Sequence, residues 1–235
     1  MKMKEPHTMR PSIKRSPIFS HSVLFFVLLS SCLVFLALPG PPALSSPDKD
    51  RFYRFEQQEV EVKDFEAKGY ILDIGGGGEG VIGRLKGEQV IAIDISKREL
   101  ADAPAGPLKV IMDARDLQFL DATFNTSTSF FTLMYVDGSD HPAVFSEIYR
   151  VLVPGGRFLI WDVLYPKRTD PDIDIAVVPL EVKLPGEKLG TGYGGGWPEK
   201  GRDLAYYIAL AETIGFEVIS QNEDDLVFYL ELKKP

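Results

Sequence analysis

The chain has 235 residues, of which 45% are hydrophobic, 26% charged and 11% aromatic. This is a globular composition, neither disordered nor fibrous, and long enough to bury a real core. Its formal net charge is -8, and residues 1–47 carry +4 of their own, which leaves -12 on the remainder. A body so acidic argues against nucleic-acid binding through phosphates, which needs clustered Lys and Arg. A single cysteine, Cys32, excludes an internal disulfide and a thiolate zinc cluster. Of His7, His21 and His141 only the last lies in the body, so a multi-His metal centre is excluded and no metal is expected.

In chain order, the first element is apolar. Val23–Leu38 holds 14 apolar residues out of 16, preceded by basic residues and followed by Pro39-Gly40-Pro41-Pro42. It reads as an export signal with a small-residue cleavage region near Ala43–Ser46, or as a short membrane anchor. Extending it back to Ile18 gives 21 residues, enough to span, so membrane contact is expected through residues 18–38. Leu29-Ser30-Ser31-Cys32 also has the form of a lipoprotein box, but Leu33–Leu38 stays apolar where a mature lipoprotein turns polar. The expected localisation is membrane-associated. The alternatives are export after cleavage, or a cytoplasmic body if the start is mis-assigned. Residues 1–47 are thus read as a basic N-terminus, signal or anchor and linker, and residues 48–235 as one domain.

Within the body, Glu59-Val60-Glu61-Val62 alternates like a strand. Strand-like runs follow at Tyr70–Ile74, Val90–Ile95, Leu108–Met112, Thr128–Tyr135 and Arg157–Val163. Between them lie helix signals. Ser96 and Glu99 have capping-box spacing. Asp140-His141-Pro142 opens a helix that places Val144, Ile148, Val151 and Leu152 on one face. Strands that alternate with helices and are apolar on both faces predict a parallel, helix-covered sheet. Arg202–Ile214 reads as a helix closed by Gly215, and Phe216–Ser220 and Leu226–Leu232 as an antiparallel pair across a short turn. Tyr165–Lys200 is a long insertion whose glycines around Tyr193 and Trp197 suit either a lid or a structural hairpin.

The chemistry concentrates in Ile71-Leu72-Asp73-Ile74-Gly75-Gly76-Gly77-Gly78-Glu79-Gly80. A strand that ends in glycines and turns into a helix brings bare backbone N–H groups against a ligand, where Cβ atoms would keep it out. Gly75, Gly77 and Gly80 fit a dinucleotide fingerprint, but Asp73 stands where dinucleotide folds carry an apolar residue. Asp94 closes the second strand, where a carboxylate can accept both hydroxyls of a ribose. Asp113 closes the third, where it can accept from an adenine amino group or order the loop that does so.

With these residues the chain resembles the class I S-adenosylmethionine-dependent methyltransferases of the small-molecule type. Ile71–Gly77 resembles the first motif of that family, Val90–Asp94 the second and Met112–Leu117 the third. Phe124–Tyr135 resembles the fourth, and Arg150–Arg157 the Leu-x-Pro-Gly-Gly motif after it. The resemblance implies a Rossmann-like α/β fold: a seven-stranded, mostly parallel sheet with an antiparallel C-terminal strand and helices on both faces. It implies S-adenosylmethionine as cofactor, held by Asp73, Gly75, Gly77, Asp94 and Asp113, and a small-molecule acceptor. It places the acceptor beside the loop after the fourth strand, with Tyr135 as a contact and His141 as a candidate base. Two departures stand out. Glu79 occupies a position where the family has glycine, and is expected to narrow the methionine end of the pocket. Thr132-Leu133-Met134-Tyr135 replaces the signature of nucleic-acid amino methylation. The alternative functions are a cofactor-binding protein of this fold without catalysis, and a nucleotide-dependent oxidoreductase. The basic N-terminus argues for a body on the far side of the membrane, whereas the implied cofactor is a cytoplasmic metabolite.

Overall fold

The computed structural model describes residues 51–235. The apolar segment Val23–Leu38, the region near Ala43–Ser46 and the expected membrane contact through residues 18–38 lie outside the described residues. Among the described residues, no helix is long and apolar enough to cross a membrane.

The described chain opens on two short strands, β1 (Phe52–Arg54) and β2 (Gln58–Glu61). Strand β3 (Ile71–Ile74) leads through the glycines into α1 (Val81–Lys86), and β4 (Val90–Asp94) into α2 (Lys97–Asp102). Then come β5 (Leu108–Ile111), β6 (Phe124–Phe130), α3 (His141–Val151) and β7 (Leu152–Val163). A hairpin of β8 (Ile175–Leu184) and β9 (Glu187–Gly196) precedes α4 (Leu204–Ile214), β10 (Glu217–Asp224) and β11 (Val227–Lys233).

Seven strands form the main sheet, in the order β10-β11-β7-β6-β3-β4-β5. Strands β3 to β7 run parallel, and β11 is antiparallel to both β7 and β10. The fold expected from the sequence is therefore present. One face of the sheet packs Leu72, Ile74, Ile93 and Ile160 against Val144, Phe145 and Ile148 of α3 and Tyr207 and Ala211 of α4. On the other face Ile71, Val90 and Ala92 meet Val81 and Ile82 of α1 and Leu100 of α2. There Leu159, Trp161 and Val163 share a cluster with Val178, Leu180 and Val182 of β8.

These β8 residues belong to a second, four-stranded sheet. Strand β9 pairs antiparallel along the whole of β8. The remaining edge of β8 takes β1 at Ile175–Val177 and β2 at Leu180–Lys183, both parallel. The long insertion is thus a structural hairpin, stapled at its outer edge by the strand read from Glu59–Val62.

Several boundaries differ from the sequence reading, among them the start of β7 at Leu152 and not Arg157, and three have a clear local reason. The strand expected over Thr128–Tyr135 ends at Phe130, because Phe131 adopts φ 49° and the chain coils into a 3-10 turn over Leu133–Tyr135. The helix expected from Arg202 begins at Leu204, where the Asp203 side chain accepts from the Tyr206 N–H. Strand β10 runs on to Asp224, and the turn expected over Gln221–Asp225 tightens around Asp225 at φ 55°.

Candidate functional site

The carboxyl ends of β3, β4, β5 and β6 open onto one cleft of about 620 Å³, a size usual for small-molecule sites and a place usual in open α/β sheets. Its lining includes Asp73, Gly75, Gly77, Asp94, Asp113 and Tyr135. Every cofactor residue expected from the sequence is therefore brought together.

The glycine loop is stitched to its neighbours by its own backbone. The Gly76 N–H donates to the Ile93 carbonyl at 3.0 Å, and the Gly78 N–H to the Glu99 carbonyl at 2.9 Å. Side chains would not fit here. A Cβ at Gly75 would lie 2.2 Å from the Thr132 hydroxyl, and the residue sits at φ +68°. A Cβ at Gly77 would lie 2.7 Å from Asp94 Oδ2 and 2.6 Å from Glu99 Cβ. The glycines thus leave a bare cradle directly beside the Asp94 carboxylate.

The acids divide by environment. Asp73 is almost fully buried, and its carboxyl is pushed up to about 7 by loss of water, partly offset by the Thr128 hydroxyl that donates to it at 2.7 Å. It sits under the loop as a support. Asp94 is also raised by burial, and the Ser96 N–H, donating to it at 2.7 Å, acts in the opposite direction. Ser96 in turn caps α2 by accepting from the Glu99 N–H at 3.2 Å, as its spacing predicts. Asp113 is held below the usual carboxylate range by the Arg115 guanidinium. It also accepts the Arg115 backbone N–H at 2.9 Å, so it orders its own loop. Arg115 reaches across to Asp140 at 2.7 Å.

Behind the loop that follows β6 lies a support that the sequence did not suggest. Asp162 of β7 is fully buried, accepts the Leu133 and Val163 N–H groups at 2.8 Å each, and is pushed up to about 7 by burial. The Arg202 guanidinium donates to the Val136 carbonyl at 3.2 Å. Together they fix the turn that presents Tyr135. Partial burial pushes the Tyr135 phenol up to about 12, so at pH 7 it is a neutral hydroxyl and not a base.

His141 is not brought to the cleft. It is fully buried at the start of α3, with Nδ1 2.8 Å from the Tyr206 hydroxyl and Nε2 3.0 Å from the Leu133 carbonyl. A carbonyl only accepts, so Nε2 carries the hydrogen and Nδ1 accepts from Tyr206. Burial lowers its pKa and keeps it neutral. The candidate base of the sequence reading is a buried brace between α3, α4 and the loop.

Glu79 also differs from expectation. One carboxylate oxygen accepts from the Tyr193 hydroxyl at 2.9 Å, and the other accepts from the Thr191 hydroxyl. It ties the glycine loop to β9 instead of merely crowding the pocket.

Residues 72–160 match the family described as methyltransferase domain. Over these residues the chain is similar to a methyltransferase domain. The chain is 35% identical over 63 residues to the sterol 4-C-methyltransferase of Caenorhabditis elegans, covering 27% of this chain and 18% of that protein. It is 37% identical over 87 residues to the demethylmenaquinone methyltransferase of Symbiobacterium thermophilum, covering 33% of this chain and 34% of that protein. The chain therefore matches between 18% and 34% of the length of these curated relatives. A solved S-adenosylmethionine-dependent methyltransferase of Methanosarcina mazei superimposes with a TM-score of 0.51 at 18% identity, over 72% of this chain and 94% of that one. This last likeness is one of fold.

Proposed function

We propose that the chain transfers a methyl group from S-adenosylmethionine to a small-molecule acceptor. The observation that carries this reading is the Gly77–Asp94 cradle, in which bare backbone and a half-buried carboxylate face the same cleft. Asp94 suits the ribose hydroxyls, the Asp113 loop the adenine, and the Gly75–Gly77 backbone the remaining chain of the cofactor. When bound, S-adenosylmethionine supplies a methyl already activated by its sulfonium.

The protein's part is then to align and to exclude water. The glycine loop, Thr132, Tyr135 and Tyr193 all line the cleft. With the Tyr135 phenol at about 12 and His141 out of reach, the cleft supports an acceptor that reacts without a dedicated histidine base. We further propose that the apolar segment Val23–Leu38 tethers the domain to a membrane, a reading supported by its composition alone.

Titration calorimetry with S-adenosylhomocysteine and with NAD tests the first reading. S-adenosylhomocysteine is expected to bind and NAD to give no heat. The reverse would make the protein a nucleotide-dependent oxidoreductase.

A further inference from the structure

We infer that Tyr193, positioned by Glu79, forms the acceptor-side wall of the cleft, and that this wall selects a flat acceptor bearing no negative charge. The inference deepens the methyl-transfer reading and rests on it. With Asp94 and Asp113 at one end of the cleft, the other end is bounded by Glu79, Thr132, Tyr135, Gly192 and Tyr193.

Tyr193 is fixed from several sides. Its ring stacks on Phe131 at a centroid distance of 5.3 Å and an angle of 23°, and meets Tyr135 edge-on at 6.5 Å. Its hydroxyl donates to Glu79 at 2.9 Å. Thr191 and Tyr193 lie two apart on β9 and so share a face, and both oxygens of Glu79 are taken up by that pair. A Cβ added at Gly195 would stand 3.5 Å from the Tyr135 ring, so the glycine-rich strand passes close over the loop without filling the cleft. The departure at Glu79 and the insertion that carries β9 are two parts of one arrangement.

The charge of the cleft is predominantly of one sign. Glu79, Glu99, Asp137 and Asp140 line it besides Asp94 and Asp113, and Arg115, the one Lys or Arg in the lining among the described residues, is already paired with Asp113 and Asp140. An acceptor carrying a carboxylate or phosphate would meet like charge with no uncommitted cation to receive it. A neutral ring finds aromatic faces for stacking, and a cationic one finds faces and carboxylates together.

The test uses the full chain and three ligands that share one ring and differ in charge: 4-ethylphenol, tyramine and 4-hydroxyphenylacetate. Each is titrated into protein saturated with S-adenosylhomocysteine. The neutral and cationic ligands are expected to bind at least about tenfold more tightly than the anion. Tyr193→Leu, which keeps bulk and removes the ring face, is expected to abolish that binding. Glu79→Ala is expected to weaken it, with partial recovery in Glu79→Gln, which retains one acceptor. Equal or tighter binding of the anion, no binding of any ring, or indifference to Tyr193→Leu would each overturn the inference alone. Failure of S-adenosylhomocysteine to bind would overturn the methyl-transfer reading and this one with it.

Discussion

The half of the cleft that we assign to the cofactor is made by three consecutive strand ends, all within residues 71–113. The half that we assign to the acceptor joins Glu79 of the glycine loop to the strand β9, through contacts 112 and 114 residues apart in sequence. The first half is encoded locally: each strand delivers one carboxylate, and each turn follows at once. The second exists only after distant segments have met. A local arrangement can be shared among many proteins, whereas a long-range one is peculiar to the chain that has both partners. Generic cofactor chemistry and particular acceptor choice are thus built by different means.

Substitutions can sharpen that contrast. The largest effect is expected from Gly75→Ala, which places a Cβ 2.2 Å from the Thr132 hydroxyl at a positive φ. A loss on the order of 3 kcal/mol in stability is expected, seen as a fall of roughly 6–12 °C in the midpoint of thermal unfolding. A mutant that melts with the parent would show that the loop yields, and the cradle would then not be rigid.

Next is Asp94→Ala, which should lower S-adenosylhomocysteine affinity by about 1.5–3 kcal/mol through loss of charge-assisted hydrogen bonds. Circular dichroism should stay that of the parent. Unchanged calorimetric affinity in the folded mutant would remove the ribose assignment.

Asp73 makes a pH signature for the same half. Its folded pKa is about 7 against an ordinary 3.8, so between these values the folded state holds a proton that the unfolded state lacks. Stability from this group is therefore greatest at low pH and falls as pH rises from about 4 to about 7, by up to roughly 1.4 kcal/mol per pH unit. Asp73→Asn should flatten that part of the profile in urea unfolding across this range. Parallel profiles for parent and mutant would count against the buried, protonated carboxyl.

On the acceptor side a smaller cost is expected. Tyr193→Phe removes one hydrogen bond to Glu79 and leaves that of Thr191, which should cost about 0.5–1.5 kcal/mol in urea unfolding. A cost near zero would mean that the contact is not held in solution. Removal of residues 1–47 should have the least effect, with S-adenosylhomocysteine affinity unchanged within about twofold, since every proposed cofactor contact lies beyond Ile71. A tenfold loss would bring that segment into the site.

The same division explains what could be read from the sequence. Asp94 and Asp113 announced themselves because each ends an apolar run, Asp73 because it interrupts one just before the glycines, and Ser96 because Glu99 follows at cap spacing. The mostly parallel main sheet and its antiparallel C-terminal strand followed from alternation and the family motifs. His141 was misread because a histidine before a proline at a helix start looks exposed, whereas Tyr206 and Tyr207 come from α4, some 65 residues on, to cover it. Glu79 was read as an obstruction because its partners stand on β9. Asp162 sits inside an apolar strand, and nothing nearby shows that it accepts backbone N–H groups from the loop after β6. The second sheet was missed for a related reason: β1 and β2 have no partner in their own neighbourhood.

That pairing has a consequence for synthesis. Phe52 is registered with Ile175 and Gln58 with Leu180. A ribosome that adds roughly 5–20 residues per second reaches β8 some 6–25 seconds after it has made β1 and β2. During that wait β3, β4, β5 and β6 can already assemble, while the two early strands remain unsatisfied edges open to other chains. The acceptor wall is thus completed well after the strands of the cofactor cradle have been made, and the nascent protein has that cradle before it has anything to enclose.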